Sequence, residues 1–329
     1  MSVVANLMSI KIANVGKIFG INKMNFTTLL GLAIGDRGVW GGGYTTVPVN
    51  TIDYITISTT GNATDFGGVL TIARWGIGAT SNGTNNRGVF GGGYTTEVIN
   101  TIDYIRISTT NNATDFGDLT VASRTHATSN GTSERGVFGG GYTTENINTI
   151  DYITISTTGN ATDFGDLTVA RYPGVTSNGT NDRGVFGGGW IPPGYNDDTI
   201  DYITISTTGN ATDFGNLTVA RQRVTATSNN IYERGVWGGG YTTLAVNTID
   251  YITISTTGNA TDFGDLTVAR QRTHATSNGT NERGMWGGGY TTVPVNTIDY
   301  ITISTTGNAT DFGDLTVAKT TPSATSNVS

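Results

Sequence analysis

The chain has 329 residues, 48 of them glycine, and no cysteine. Disulfides, thiolate chemistry and Cys-built zinc sites are therefore excluded, and His126 and His274 are the only imidazoles. A formal charge of −7 disfavours a phosphate-tracking nucleic-acid binder, and 13% charged residues is too few for a highly charged disordered chain. No apolar run reaches the roughly 18–20 residues needed to insert through a bilayer.

Residues 1–36 stand apart. Lys11, Lys17 and Lys23 are spaced among Ile12, Val15, Ile18, Ile21 and Met24. An apolar period of three suits neither an α-helix nor a plain strand. The segment lacks the compact apolar core and small-residue cleavage site of a secretory leader, so secretion by that route is not expected. It reads as a docking arm, with a mere pad for the following domain as the alternative.

From Arg37 onward the chain repeats itself. The phrase "RGVFGGGYTT" occurs at 87–96 and 135–144, and near copies begin at Arg37, Arg183, Arg234 and Arg283. The aspartates of "IDYI" are Asp53, Asp103, Asp151, Asp201, Asp250 and Asp299, a period near 49. Each unit contains four short strand patterns. Strand A is "ATSN" (79–82), B is "RGVF" (87–90), C is "TIDYITIS" (51–58) and D is "TDFGDLTVA" (114–122). "NGTNE" (278–282) and "TTGNA" (59–63) supply the A–B and C–D turns, with Gly and Asn to accept positive φ. Four short antiparallel strands per 45–50 residues is the pattern of a propeller blade. A phosphate-cradling loop is excluded for the glycines, because neither a following helix nor a Lys-Ser/Thr pair is present. The six "NAT" sequons, from Asn62 to Asn308, read as turn chemistry.

These units resemble the kelch repeat. The resemblance rests on an apolar strand ending in glycines (Val89-Phe90-Gly91-Gly92), a third-strand Tyr104 and a fourth-strand Phe116, recurring in every copy over 37–327. It implies an all-β, six-bladed propeller spanning 37–329. The C-terminal strand 324–327 is expected to enter the first blade as its innermost strand; "LLGLA" at 29–33 is the rival for that place. Some kelch propellers are copper radical oxidases. That cofactor needs a Cys–Tyr crosslink, so the activity does not carry over, and no cofactor is expected.

Alternation of strand direction puts the B–C and D–A loops on one face. These are the segments in which the copies differ, "YTTENIN" against "WIPPGYNDD", or "RWGIG" against "RQRTH". Loops on a rigid scaffold are where binding resides. The expected ligand residues on this face are Trp75, Tyr172, Trp190 and Tyr195, with Arg74, Arg223 and Arg272 beside them: flat rings for sugar stacking, guanidiniums for directed hydrogen bonds. Ordinary drift in permissive loops is the competing explanation. His126 and His274 fill one slot in repeats three apart, hence opposite positions near the channel. A metal bridge between them is disfavoured against simple packing. The "IDYI" aspartates are expected to accept hydrogen bonds between blades.

The arm and the "TTGNATDFGDLT" phrase resemble segments of tailed-phage virion proteins. The resemblance implies a non-enzymatic virion protein. It would sit in several copies per assembly, dock on other virion proteins through Ile12, Val15, Ile18, Ile21 and Met24, and read host-surface glycan. A decoration protein that contacts only virion subunits, and a non-viral secreted lectin, remain alternatives.

Overall fold

The computed structural model describes residues 36–81, 86–129, 134–177, 182–228, 233–277 and 282–326. The arm through residue 35, with its five apolar docking candidates, and the A–B turns lie outside the described residues. The described residues form six antiparallel four-stranded sheets, the blades of a β-propeller, with no helix among them.

Blade 2 shows the plan: A is Gly78–Thr80, B Arg87–Gly91, C Thr101–Arg106 and D Thr114–Asp118. The inner strands of blades 3 to 6 are Arg124–Thr128, Gly174–Ser177, Thr225–Ser228 and His274–Thr276. Blade 1 contains Arg37–Gly41, Thr51–Thr56 and Thr64–Val69, and its inner strand is Ser323–Ser326, paired antiparallel to Arg37–Gly41 with Val39 opposite Thr325. The ring thus closes with chain from both ends of the propeller, leaving the first blade no unpaired inner edge. Strand D is shorter than its sequence pattern in most blades. It ends at the Asp of "TDFGD", where the chain turns inward toward the channel.

The core lies between blades. Val39, Ile52, Phe66 and Leu70 of blade 1 pack with Ile77, Phe90, Ile105 and Ile107 around blade 2. The glycine that ends strand B explains the fit. A Cβ on Gly41 would lie 2.8 Å from the Phe90 ring, one on Gly139 2.2 Å from Phe186, and one on Gly287 2.7 Å from Trp40. Each blade's strand-B aromatic therefore occupies the side-chain space its predecessor leaves open, right round the ring. Burying each such ring contributes about 1.5–3 kcal/mol. The three indoles also donate back to the preceding blade, Trp40 to the His274 carbonyl at 3.2 Å.

Polar groups repeat the same stitching. Arg37 lies 4.5 Å over the Tyr54 ring and donates to the Ile107 carbonyl of the next blade, and Arg283 closes the series on Ile57. The sequon asparagines join neighbouring blades: Asn160 accepts from the Asp118 amide at 3.1 Å, and Asn62 from Asp314 across the closure. They are inter-blade staples as well as turn residues.

Candidate functional site

The D–A segments build the mouth of the channel, and their residues fall into slots with different fates. The first slot holds Arg74, Ser123, Arg171, Arg221, Arg270 and Lys319. Five of these are cations, each buried against the strand-C aspartate of the following blade. The pairs are Arg74–Asp103 (3.0 Å), Arg171–Asp201 (2.9 Å), Arg221–Asp250 (2.6 Å), Arg270–Asp299 (2.8 Å) and Lys319–Asp53 (2.9 Å). Each aspartate also accepts a threonine hydroxyl from the same segment, as Asp103 does from Thr71 at 2.5 Å. The "IDYI" aspartates do accept between blades, but their main partner is a cation. Arg74 is accordingly corrected as a ligand residue: its side chain is wholly buried and committed to Asp103.

Blade 3 departs from this. Ser123 stands where the others have Arg or Lys, and Asp151 keeps only Thr120, whose amide and hydroxyl donate at 2.9 and 2.6 Å. A cavity of about 10 Å³ lies between Ser123 and Asp151. Burial pushes the Asp151 carboxyl above its ordinary value, Thr120 opposes this, and Asp163 adds to it.

The second slot holds Trp75, Arg124, Tyr172, Gln222, Gln271 and Thr320. The third holds Gly76, Thr125, Pro173, Arg223, Arg272 and Thr321, of which Gly76, Arg223, Arg272 and Thr321 are in the left-handed region (φ 68°, 57°, 57° and 48°). Glycine takes that conformation freely; arginine and threonine hold it only under constraint. The constraint is visible: the Arg272 amide donates to Arg223 and the Thr321 amide to Arg272, at 3.2 and 2.9 Å, linking successive segments around the mouth.

Together these segments enclose a cavity of about 390 Å³. Trp75, Tyr172, Trp190, Arg223 and Arg272 line it, joined by Arg124, Tyr142, Asn146 and Gln222. Tyr195 does not. It stands on the blade-4 B–C hairpin, 68% exposed and outside the cavity lining, because that hairpin extends both strands (Arg183–Ile191 and Tyr195–Thr204) beyond the mouth.

The charge here is one-sided. Among the described residues no carboxylate lines the cavity. Burial lowers the Arg223 guanidinium to about 10, with Arg272 and Arg124 adding repulsion. Arg272 is lowered by burial and then by Arg124. The counterweights are π faces: Arg124 over Tyr142 (4.5 Å) and Trp75 (4.8 Å), Arg223 over Tyr241 (5.4 Å), Arg272 over Tyr290 (5.9 Å). Burial pushes the Tyr172 phenol up to about 12, against the pull of Arg124 and Arg272.

His126 and His274 form the floor. Their Nε2 atoms meet across the channel at 2.9 Å, and the His126 ring stacks on Tyr172 with centroids 4.4 Å apart. His126 Nδ1 lies 2.5 Å from the Pro173 carbonyl, and His274 Nδ1 contacts that of Pro322. Two neutral imidazoles carry two N–H groups for these three positions. Burial holds both below the ordinary histidine value, His126 at about 4. The Nε2 separation is shorter than two nitrogens bound to one ion at about 2.0–2.1 Å each in tetrahedral geometry would show. Among the described residues no group of three or more His, Asp or Glu could hold a metal. Beyond the pair, a second cavity of about 150 Å³ runs between the inner strands, lined largely by Ala, Thr and Ser.

Comparison with known proteins returns no family model and no curated protein that matches the chain. Its class rests on its own geometry: a six-bladed β-propeller with a cationic, aromatic-lined pocket at one mouth of a histidine-floored channel.

Proposed function

We propose that this chain is a non-enzymatic, kelch-like binding propeller that reads host-surface glycan, carried as an appendage of a tailed-phage virion and docked through residues 1–36. The observation that carries the binding reading is the pocket. Four aromatic rings and three guanidiniums line a volume within the roughly 300–1,000 Å³ of small-ligand sites, on the face where the six copies differ. Rings stack on pyranose faces, while Asn146 and Gln222 add amide donors and acceptors. The virion setting is supported by the resemblance of the arm and of the repeated "TTGNATDFGDLT".

One observation favours contact with other virion subunits instead. The B–C turns carry exposed apolar tips, Val47 (59%), Leu244 (74%) and Val293 (59%), beside the exposed Tyr195. Such tips suit a protein surface better than a sugar.

The test is binding of the full chain to an array of bacterial envelope polysaccharides. Saturable binding is expected, lost in Trp75→Ala/Trp190→Ala and kept in Tyr195→Ala. No binding by folded wild type, or undiminished binding by the double variant, defeats the glycan reading. Mass spectrometry of purified virions checks the setting.

A further inference from the structure

Two of the pocket's three arginines have no acceptor among the described residues. No described residue accepts a hydrogen bond from the guanidinium of Arg124 or of Arg272, and Arg124 Nε is buried without a partner. Arg223 spends one N–H on the Gln271 side-chain oxygen at 2.5 Å. Three like charges converge with no carboxylate among the residues around them. Elsewhere this chain matches buried cations with aspartates at 2.6–3.0 Å, five times over. The mouth is where that habit is dropped. Two of its arginines are moreover held at φ 57°, in the slot that blade 2 fills with Gly76. A chain seeking only stability would place glycine there and avoid both the strain and the repulsion.

We infer that the pocket takes an acidic sugar: a pyranose whose carboxylate sits among Arg124, Arg223 and Arg272 while its ring lies against the aromatic walls. A carboxylate suits the planar guanidinium fork, which can grip it with paired N–H···O bonds. The surrounding rings and restricted volume favour an anion that is part of a ring over a free inorganic one. The neutral histidine floor adds no carboxylate to compete for the arginines. Trp75 and Tyr142, already beneath the Arg124 guanidinium, hold that charge in place for the ligand.

This inference rests on the glycan reading above, and the experiment separates the two. Uronic-acid polysaccharides are immobilised beside the same polymers with their carboxyls reduced to alcohols, alongside neutral polysaccharides. The full chain and its Arg272→Gly and Arg124→Gln variants are applied, with melting temperature measured for each. The expected result is binding to the acidic polymers, weakened about tenfold or more by carboxyl reduction or by either substitution. Arg272→Gly is expected to melt no lower than wild type, since it removes strain and repulsion together; a role confined to holding the mouth together would lower it. Equal binding to native and reduced polymers overturns the acidic-sugar inference and leaves glycan reading intact. Binding to neutral polymers alone does the same. Failure to bind any polymer overturns both.

Discussion

The same substitution is expected to have opposite effects at two equivalent aspartates. Asp299 and Asp151 occupy one position in blades 6 and 3, both nearly inaccessible to solvent. Asp299 meets Arg270 at 2.8 Å and the Thr267 hydroxyl at 2.5 Å; Asp151 has the threonine but Ser123 in place of the cation. In Asp299→Asn the charge of Arg270 is left buried and uncompensated, a loss of about 3–5 kcal/mol. In Asp151→Asn a buried charge without a counter-ion disappears. The amide can still accept from the Thr120 N–H and donate to its hydroxyl, so the change is neutral or stabilises by about 1 kcal/mol. At about 2 °C per kcal/mol for a domain of this size, the two variants should melt about 6–12 °C apart at pH 7. Thermal unfolding followed by circular dichroism reads this directly. The sign also sets a pH dependence. The folded carboxyl of Asp151 lies above its unfolded value, so it destabilises at neutral pH, and this is relieved as pH falls through the raised value. The advantage of Asp151→Asn should therefore shrink on acidification. Equal losses in both variants, or a greater loss at Asp151, would refute the account of the missing cation.

Removing 323–329 should lower the melting temperature sharply, since it strips blade 1 of the strand that pairs with Arg37–Gly41; an unchanged value would show that the ring closes otherwise. Gly139→Ala places a methyl 2.2 Å from the Phe186 ring and should cost about 1–3 kcal/mol in chemical denaturation, whereas Gly159→Ala, with open space around it, should cost far less. Equal costs would refute the inter-blade packing argument. For the histidine pair the folded values are depressed, so their stabilisation is present above pH 6.5 and lost as pH falls through the folded values, about 4 for His126. For His126 alone the loss is about 3 kcal/mol over that window. His126→Gln/His274→Gln should flatten this part of the stability profile, and an unchanged acid slope would contradict burial of the neutral pair.

The architecture was legible because each blade is a local unit copied with little change. A 49-residue period, glycines after "RGVF" and Gly/Asn turns leave few alternatives to a ring of small sheets. The site was less legible, for reasons of register. Arg74 and Arg223 both look like loop arginines in the varying D–A segment, yet two positions separate burial against Asp103 from a place in the pocket wall. The signal that could have sorted them lay in the repeats. The first slot is Arg or Lys in five copies of six and tracks the "IDYI" aspartate, whereas the next two slots vary in size, charge and aromaticity. Tyr142 escaped notice for the opposite reason. It belongs to the recurrent "GGGYTT", whose tyrosines Tyr142, Tyr241 and Tyr290 all lie beneath arginines, and nothing in the repeated phrase marks Tyr142 as the copy that lines the pocket. The opposition of His126 and His274 could be read from their slots, but not that their rings would touch, because channel width depends on side chains that the repeat pattern does not encode.

The closing strand also fixes when the binding site comes into being. As the chain leaves the ribosome, blades 2 to 6 can each form from contiguous sequence, while blade 1 waits with three strands for Ser323–Ser326. The last stretch before that strand carries Lys319, which neutralises Asp53, Thr321, whose amide donates to the Arg272 carbonyl, and Pro322, whose carbonyl holds His274. The mouth of the channel is thus finished only together with the ring itself. A nascent chain exposes no complete pocket to ligand, and a binding-competent molecule is by construction one whose circle has already shut.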